Sequence, residues 1–102
     1  MLGLLQEIVL GNVLSPASRN RLISWLVGNK TGDRRLRAGL PKDWRVGDKT
    51  GAGNHNATND VAVIWPPNRA PLIVTAYYIE AEGSDDERNA VLADVGRFVA
   101  MV

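Results

Sequence analysis

Two runs of almost wholly apolar residues, 61–65 (Val-Ala-Val-Ile-Trp) and 72–79 (Leu-Ile-Val-Thr-Ala-Tyr-Tyr-Ile), limit what this chain can fold into more than any other feature. A strand with one wet face alternates apolar and polar residues. These segments are apolar on consecutive positions, the pattern of a sheet covered on both faces. The segment between them, Pro66-Pro67-Asn68-Arg69-Ala70-Pro71, continues neither strand, because proline has no N–H to give to a ladder. A shorter strand is expected over residues 45–49, with Thr50-Gly51-Ala52-Gly53 opening a loop after it. Three strands joined by short connections read as an antiparallel meander. Each face of that meander needs a cover.

The C-terminal residues supply one cover. Ser84-Asp85-Asp86-Glu87 has the form of a capping box, with acids in the positive first turn of a helix. Val91, Leu92, Val95, Phe98, Val99 and Val102 are expected to form its buried face. The other face falls to the N-terminal helices. Leu2, Leu5, Ile8 and Val9 stand at helical spacing before a stop at Gly11-Asn12. Ser15-Pro16 then starts a second helix, with Leu22, Ile23, Leu26 and Val27 as its stripe and Gly28-Asn29 as its end. Trp25 is expected to pack in the core. Thr31-Gly32-Asp33 is a turn, and residues 34–40 allow one more helical turn before Pro41. The expected class is α+β: a three-stranded antiparallel meander with a C-terminal helix on one face and N-terminal helices. Residues 1–43 form the helical segment and 44–102 the sheet and last helix of one domain.

Twelve basic and eleven acidic residues leave a net charge of +1, without the basic excess that nucleic acid or a membrane surface would demand. The chain has no cysteine, which removes disulfides, thiol nucleophiles and zinc knuckles. His55 is the only histidine and has no second ligand nearby, so it reads as an exposed loop residue and no metal or cofactor is expected. No apolar run approaches the ~18 residues of a membrane span. The first seven residues lack the basic start of a signal peptide and look like the inside of a helix.

The chemistry collects at Lys49-Thr50-Gly51-Ala52-Gly53. An ammonium, a hydroxyl and backbone N–H groups bared by small residues suit a carboxylate or a developing oxyanion. The plain alternative is that Lys-Thr-Gly closes a strand and opens a loop, and three residues do not separate the two. Arg34, Arg35 and Arg37 divide in the same way between a solvated face and one side chain aimed at a ligand anion.

Longer stretches separate them. Residues 14–26 (Leu-Ser-Pro-Ala-Ser-Arg-Asn-Arg-Leu-Ile-Ser-Trp-Leu), 29–33 (Asn-Lys-Thr-Gly-Asp) and 36–41 (Leu-Arg-Ala-Gly-Leu-Pro) lead to Trp44 and to 47–53 (Gly-Asp-Lys-Thr-Gly-Ala-Gly). Residues 59–66 (Asn-Asp-Val-Ala-Val-Ile-Trp-Pro) and 86–89 (Asp-Glu-Arg-Asn) follow. In this order they resemble the C-terminal part of a class A serine β-lactamase, of the penicillin-recognising serine hydrolase superfamily, over nearly the whole chain. The resemblance implies a partial β-lactamase/transpeptidase-like fold and an export destination, periplasmic or secreted. It implies that Lys49 supplies positive potential near the substrate carboxylate and a proton-relay serine, Thr50 a hydroxyl for the substrate carboxylate, Gly51 room along the strand edge, and the Ala52 N–H one of two oxyanion donors. Many such enzymes carry an arginine on the following strand, where this chain has Thr58-Asn59-Asp60; Arg35 matches an alternative source of that cation.

The family's nucleophile lies in Ser-x-x-Lys, and none of Ser15, Ser18, Ser24 or Ser84 has lysine three residues on. Ser-Asp-Asn and the water-activating glutamate are likewise absent, and Glu7 reads as a surface residue. The implied partners are a β-lactam substrate and a missing N-terminal part, and the isolated chain is expected to be inactive. Two alternatives stand beside this: a fragment of a penicillin-binding D,D-peptidase, and a non-catalytic binding or complementation module.

Overall fold

The computed structural model describes residues 1–79 and 82–102. In chain order the elements are α1 (Leu2–Val9), α2 (Pro16–Val27), α3 (Leu36–Gly39), β1 (Arg45–Gly53), β2 (Ala57–Trp65), β3 (Leu72–Tyr78) and α4 (Asp85–Val99). The strands form one antiparallel sheet in the order β1-β2-β3. The α+β meander expected from the apolar runs is the observed fold.

The consecutive apolar residues of β2 are sorted by the period-two alternation of a strand. Ala62 and Ile64 enter a core with Leu36, Leu40, Val46, Ala76 and Leu92, on the side of α3 and α4. Val63, with Val61 and Trp65 beside it, enters a second core with Leu5, Val9 and Leu26, on the side of α1 and α2. Leu36, Ile64 and Leu92 are almost completely enclosed. Each contributes roughly 1.5–3 kcal/mol by leaving water.

The helix ends follow their sequence signals. Ser15 Oγ accepts the N–H of Ser18 at 3.2 Å ahead of Pro16. Ser84 and Glu87 make both halves of the capping box. Arg19 ties α2 to the end of α1 by donating to the Gly11 carbonyl at 2.6 Å.

Two packing expectations are corrected. Trp25 is 68% exposed. Leu22, Ile23 and Leu26 are the residues of α2 that reach the sheet side, and a helix turns about 100° per residue, which carries Trp25 off that stripe. In α4 the buried residues are Arg88, Leu92, Ala93 and Gly96, with Val95 and Val99 packed at the margin. Phe98 and Val102 are two-thirds exposed and Val91 also reaches solvent. The helix is rotated because its small residues, rather than its large ones, face α3. A side chain added at Gly96 would collide with the Leu36 carbonyl, and one at Gly39 with the Ala93 carbonyl. Among the described residues no helix is long and apolar enough to cross a membrane.

Candidate functional site

β1 does not end at Lys49. It runs through Thr50, Gly51 and Ala52 to Gly53, pairing Lys49 with Val61, Thr50 with Asp60, Gly51 with Asn59 and Ala52 with Thr58. The polar start of β2, residues 57–60, extends the ladder as far as the turn, so Lys-Thr-Gly is strand rather than loop. The turn is closed by the Ala57 N–H donating to the Asn54 carbonyl at 3.2 Å. Its central residues His55 and Asn56 have φ of 60° and 57°, the left-handed pair that hairpin turns require. His55 is thus an exposed turn residue, as its isolation in the sequence suggested.

Because β1 is an edge strand, its outer backbone groups face away from β2. Alternation sends Lys49 and Thr50 to opposite faces of that edge: Thr50 lies in register with buried Asp60, Lys49 with Val61. Lys49 is exposed, and its Nζ donates to the Thr50 carbonyl at 2.8 Å. The Thr50 hydroxyl lies 2.6 Å from that of Thr31. A side chain at Gly51 would meet only Asn59, at an ordinary 3.8 Å, so the chain's own packing does not demand glycine there.

The three arginines have three fates. Arg34 pairs with Asp86 at 3.1 Å where both are about 80% exposed, the solvated-face outcome. Arg35 reaches across the end of the sheet. Its Nη1 donates to the carbonyls of Gly51 at 3.0 Å and Asn59 at 2.7 Å, while its Nε donates to Asn89 Oδ1 at 2.9 Å. Arg35, Ala52, Thr58, Arg88 and Asn89 line a hollow of about 320 Å³. A larger hollow of about 430 Å³ lies beside Pro41, Trp44 and Val46, lined by none of the residues expected to bind substrate.

Arg37 turns inward and leads to a group that sequence reasoning missed. Its Nη2 donates to Asp48 Oδ1 at 2.8 Å, and Asp48 has no exposed surface. Asn29 Nδ2 donates to the same oxygen at 3.2 Å. Asp60, also fully enclosed, accepts the Leu36 N–H at 3.2 Å and faces Asp48. Burial, with the hydrogen bond and negative charge of Asp48 behind it, pushes the Asp60 pKa from 3.8 up to about 9. The Leu36 N–H and Arg35 act in the opposite direction and are outweighed. Asp60 therefore holds a proton at neutral pH. That proton answers a second observation: Asp48 Oδ2 and Asp60 Oδ1 are both buried without a donor, and one proton between the two carboxyls satisfies both. The sequence does not mark the pair: Asp60 precedes the apolar run read as a strand, and Asp48 sits in a strand with exposed residues at both ends.

Residues 1–101 match the Beta-lactamase enzyme family. Beta-lactamase CTX-M-6 of Salmonella typhimurium is 47% identical over 95 residues, covering 93% of this chain and 33% of the relative. Beta-lactamase OXY-1 of Klebsiella oxytoca is 47% identical over the same shares. The solved structure of an ancestral (GNCA) class A β-lactamase superposes with a TM-score of 0.97 at 61% identity, over 99% of this chain and 39% of that one. The chain spans about a third of the length of these curated relatives. With the sequence match running from end to end and the backbone superposing over the whole sheet and its helices, the chain belongs to the β-lactamase family and carries the C-terminal part of a class A enzyme.

Proposed function

We infer that this chain supplies the carboxylate clamp and one oxyanion donor to a serine enzyme that hydrolyses the β-lactam ring. The observation that carries this reading is the placement of Arg35. Its guanidinium is held by the Gly51 and Asn59 carbonyls and by Asn89, and it shares with Ala52 a hollow between the end of the β1–β2 hairpin and the start of α4. Arg35 is the cation for the substrate carboxylate, in place of an arginine on β2, and Thr50 donates its hydroxyl to the same group. Lys49, on the opposite face of the strand, supplies positive potential toward the reacting end and its proton-relay serine. Gly51 leaves space that the fold itself does not fill, and a ligand takes that space along the edge. The Ala52 N–H meets the oxyanion that forms when the nucleophile attacks the ring carbonyl; losing such a donor costs roughly 2.7–4 kcal/mol of transition-state stabilisation.

The nucleophilic serine, its lysine and the water-activating glutamate belong to a missing N-terminal part, which is the chain's first partner. Residues 1–102 are thus a single incomplete domain, and the whole enzyme works outside the cytoplasm, where it meets its substrate. The relatives are named β-lactamases, which favours ring hydrolysis over a peptidase reaction or a binding module. The test is nitrocefin turnover by the purified chain, alone and after mixing with the N-terminal part of a class A relative. No turnover alone and recovery on mixing is the expected result. Turnover by the chain alone, or none after mixing with a folded partner, sinks the reading.

A further inference from the structure

Thr50 is not an isolated hydroxyl; it ends a line of hydrogen bonds that begins at the buried ion pair. Arg37 Nη2 and Asn29 Nδ2 both donate to Asp48 Oδ1, at 2.8 and 3.2 Å. The donation to Asp48 fixes which way the Asn29 carboxamide faces, leaving its Oδ1 to accept. That oxygen takes the Thr31 backbone N–H at 3.3 Å and lies 2.9 Å from the Thr31 hydroxyl. The Thr31 hydroxyl in turn lies 2.6 Å from that of Thr50.

The protons can be counted along this line. Thr31 has one hydroxyl proton and two neighbours that can take it. While the proton rests on Asn29 Oδ1, Thr31 Oγ1 accepts from Thr50, and the Thr50 hydroxyl is held in one direction. When an anion accepts a hydrogen bond from the Thr50 hydroxyl, Thr31 turns its own hydroxyl to donate to Thr50 Oγ1. Asn29 Oδ1 then still keeps the Thr31 backbone N–H. Neither hydroxyl loses its partner in either state, and Thr50 need not leave its rotamer to donate.

We propose that Thr31 is a positioning residue for Thr50: a reversible hydroxyl donor, anchored through Asn29 to the Arg37–Asp48 pair, that aims Thr50 at the carboxylate of an anionic substrate. This rests on the reading above that Thr50 binds that carboxylate. The role of Thr31 is exerted through Thr50 rather than on the substrate. It acts on the direction and donor strength of its neighbour, because a hydroxyl that accepts a hydrogen bond while donating one is the better donor.

The experiment uses the complete enzyme, with this chain joined to its N-terminal part, and four variants: Thr31→Val, Thr31→Ser, Thr50→Val and the Thr31→Val/Thr50→Val double variant. Valine keeps the shape and the backbone N–H but removes the hydroxyl. Loss of one hydrogen bond of ordinary strength corresponds to about a 5-fold fall in kcat/KM for benzylpenicillin in Thr31→Val. Thr31→Ser should stay within about 2-fold of the parent on the same reasoning. Adding Thr31→Val to Thr50→Val should cost nothing further, since the two act as a unit. An unchanged Thr31→Val, a Thr31→Ser as impaired as the valine variant, or an undiminished loss on the Thr50→Val background each overturns the proposal. If the parent enzyme hydrolyses no β-lactam, it is the proposed function that falls. The Thr50 side-chain rotamer in crystal structures then decides the role of Thr31: displacement in the valine variant but not in the serine variant supports it, and one rotamer throughout overturns it.

Discussion

Asp60 is the residue whose chemistry departs furthest from its ordinary behaviour, and the departure has a sign. Unfolded, its carboxyl loses its proton near pH 3.8; folded, it keeps the proton up to about pH 9. The native state therefore binds one more proton than the unfolded state between those values, and stability falls as pH rises through the interval. The contribution is fully present below about pH 4 and gone above about pH 9. The slope is at most about 1.4 kcal/mol per pH unit for one proton. Asp60→Asn, which keeps a neutral donor facing Asp48, is expected to remove that slope between pH 5 and 9 while leaving acid stability nearly unchanged. Denaturant midpoints across that range check it, and a variant with the parent's slope means that the proton is elsewhere. Arg35 allows a second prediction. Arg35→Ala in the complete enzyme should raise KM for penicillins roughly 10-fold with little change in kcat, the mark of a contact made equally in ground and transition states. Steady-state kinetics on benzylpenicillin reads this, and an unchanged KM reduces Arg35 to a brace between β1, β2 and α4. Arg35 was picked from three arginines only by the family resemblance, whereas Lys49, Thr50, Gly51 and Ala52 could be singled out as candidates because an ammonium and a hydroxyl stand beside small residues that bare the backbone. Asp48, Asp60 and Asn29 could not, because an aspartate gives no sign of burial until the strand pairing that encloses it is known.

The elements themselves were legible to different degrees. The sheet was, because Val61, Val63 and Trp65 on one side and Ala62 and Ile64 on the other leave no wet face on β2. The caps were legible too, since Ser15 and Ser84 act through groups within three residues. The end of β1 was not: residues 50–53 carry turn-like composition, and only the ladder to β2 makes them strand. The rotation of α4 was also hidden, because burial was assigned to its largest apolar residues. Its contact with α3 is instead a close approach of backbones at Gly39 and Gly96. This predicts a cost out of proportion to the atoms added. Gly96→Ala brings one methyl group, which improves intrinsic helix propensity by about 1 kcal/mol. Yet it must drive α4 away from the Leu36 carbonyl. Overpacking of this kind costs typically 1–3 kcal/mol and more where backbone must move. A net loss of about 2 kcal/mol is expected in thermal or denaturant unfolding of the complete enzyme. A variant as stable as the parent would show that α3 and α4 slide apart freely. Gly3, where an added side chain meets nothing, is the control: Gly3→Ala should be neutral or slightly stabilising.

At the scale of the whole molecule, compactness and exposure pull in different directions. The radius of gyration is 13.6 Å, close to the roughly 13 Å of a compact domain of this size, so the chain is well collapsed. Large apolar side chains nevertheless remain outside: Tyr77 and Ile79 at the end of β3, and Phe98, Met101 and Val102 at the end of α4, all at least 58% exposed. Leu2, Leu4 and Trp25 add to these from the N-terminal helices. β3 is also an edge of the sheet, and its seven residues include no proline and no charge to blunt it. Exposed apolar residues beside an unblunted edge are expected to find a partner. For the chain alone that partner is a second copy of itself. Sedimentation velocity on the purified chain at micromolar concentrations should show concentration-dependent association, with binding of a hydrophobic dye. Adding the N-terminal part should replace those species with a single one-to-one complex and abolish dye binding. The alternative outcome is specific: a monodisperse monomer that unfolds in one sharp cooperative transition and ignores the N-terminal part. That result would mean the two cores on either side of β2 suffice by themselves, and that the exposed residues of β3 and α4 are tolerated surface rather than the seam where the rest of the enzyme attaches.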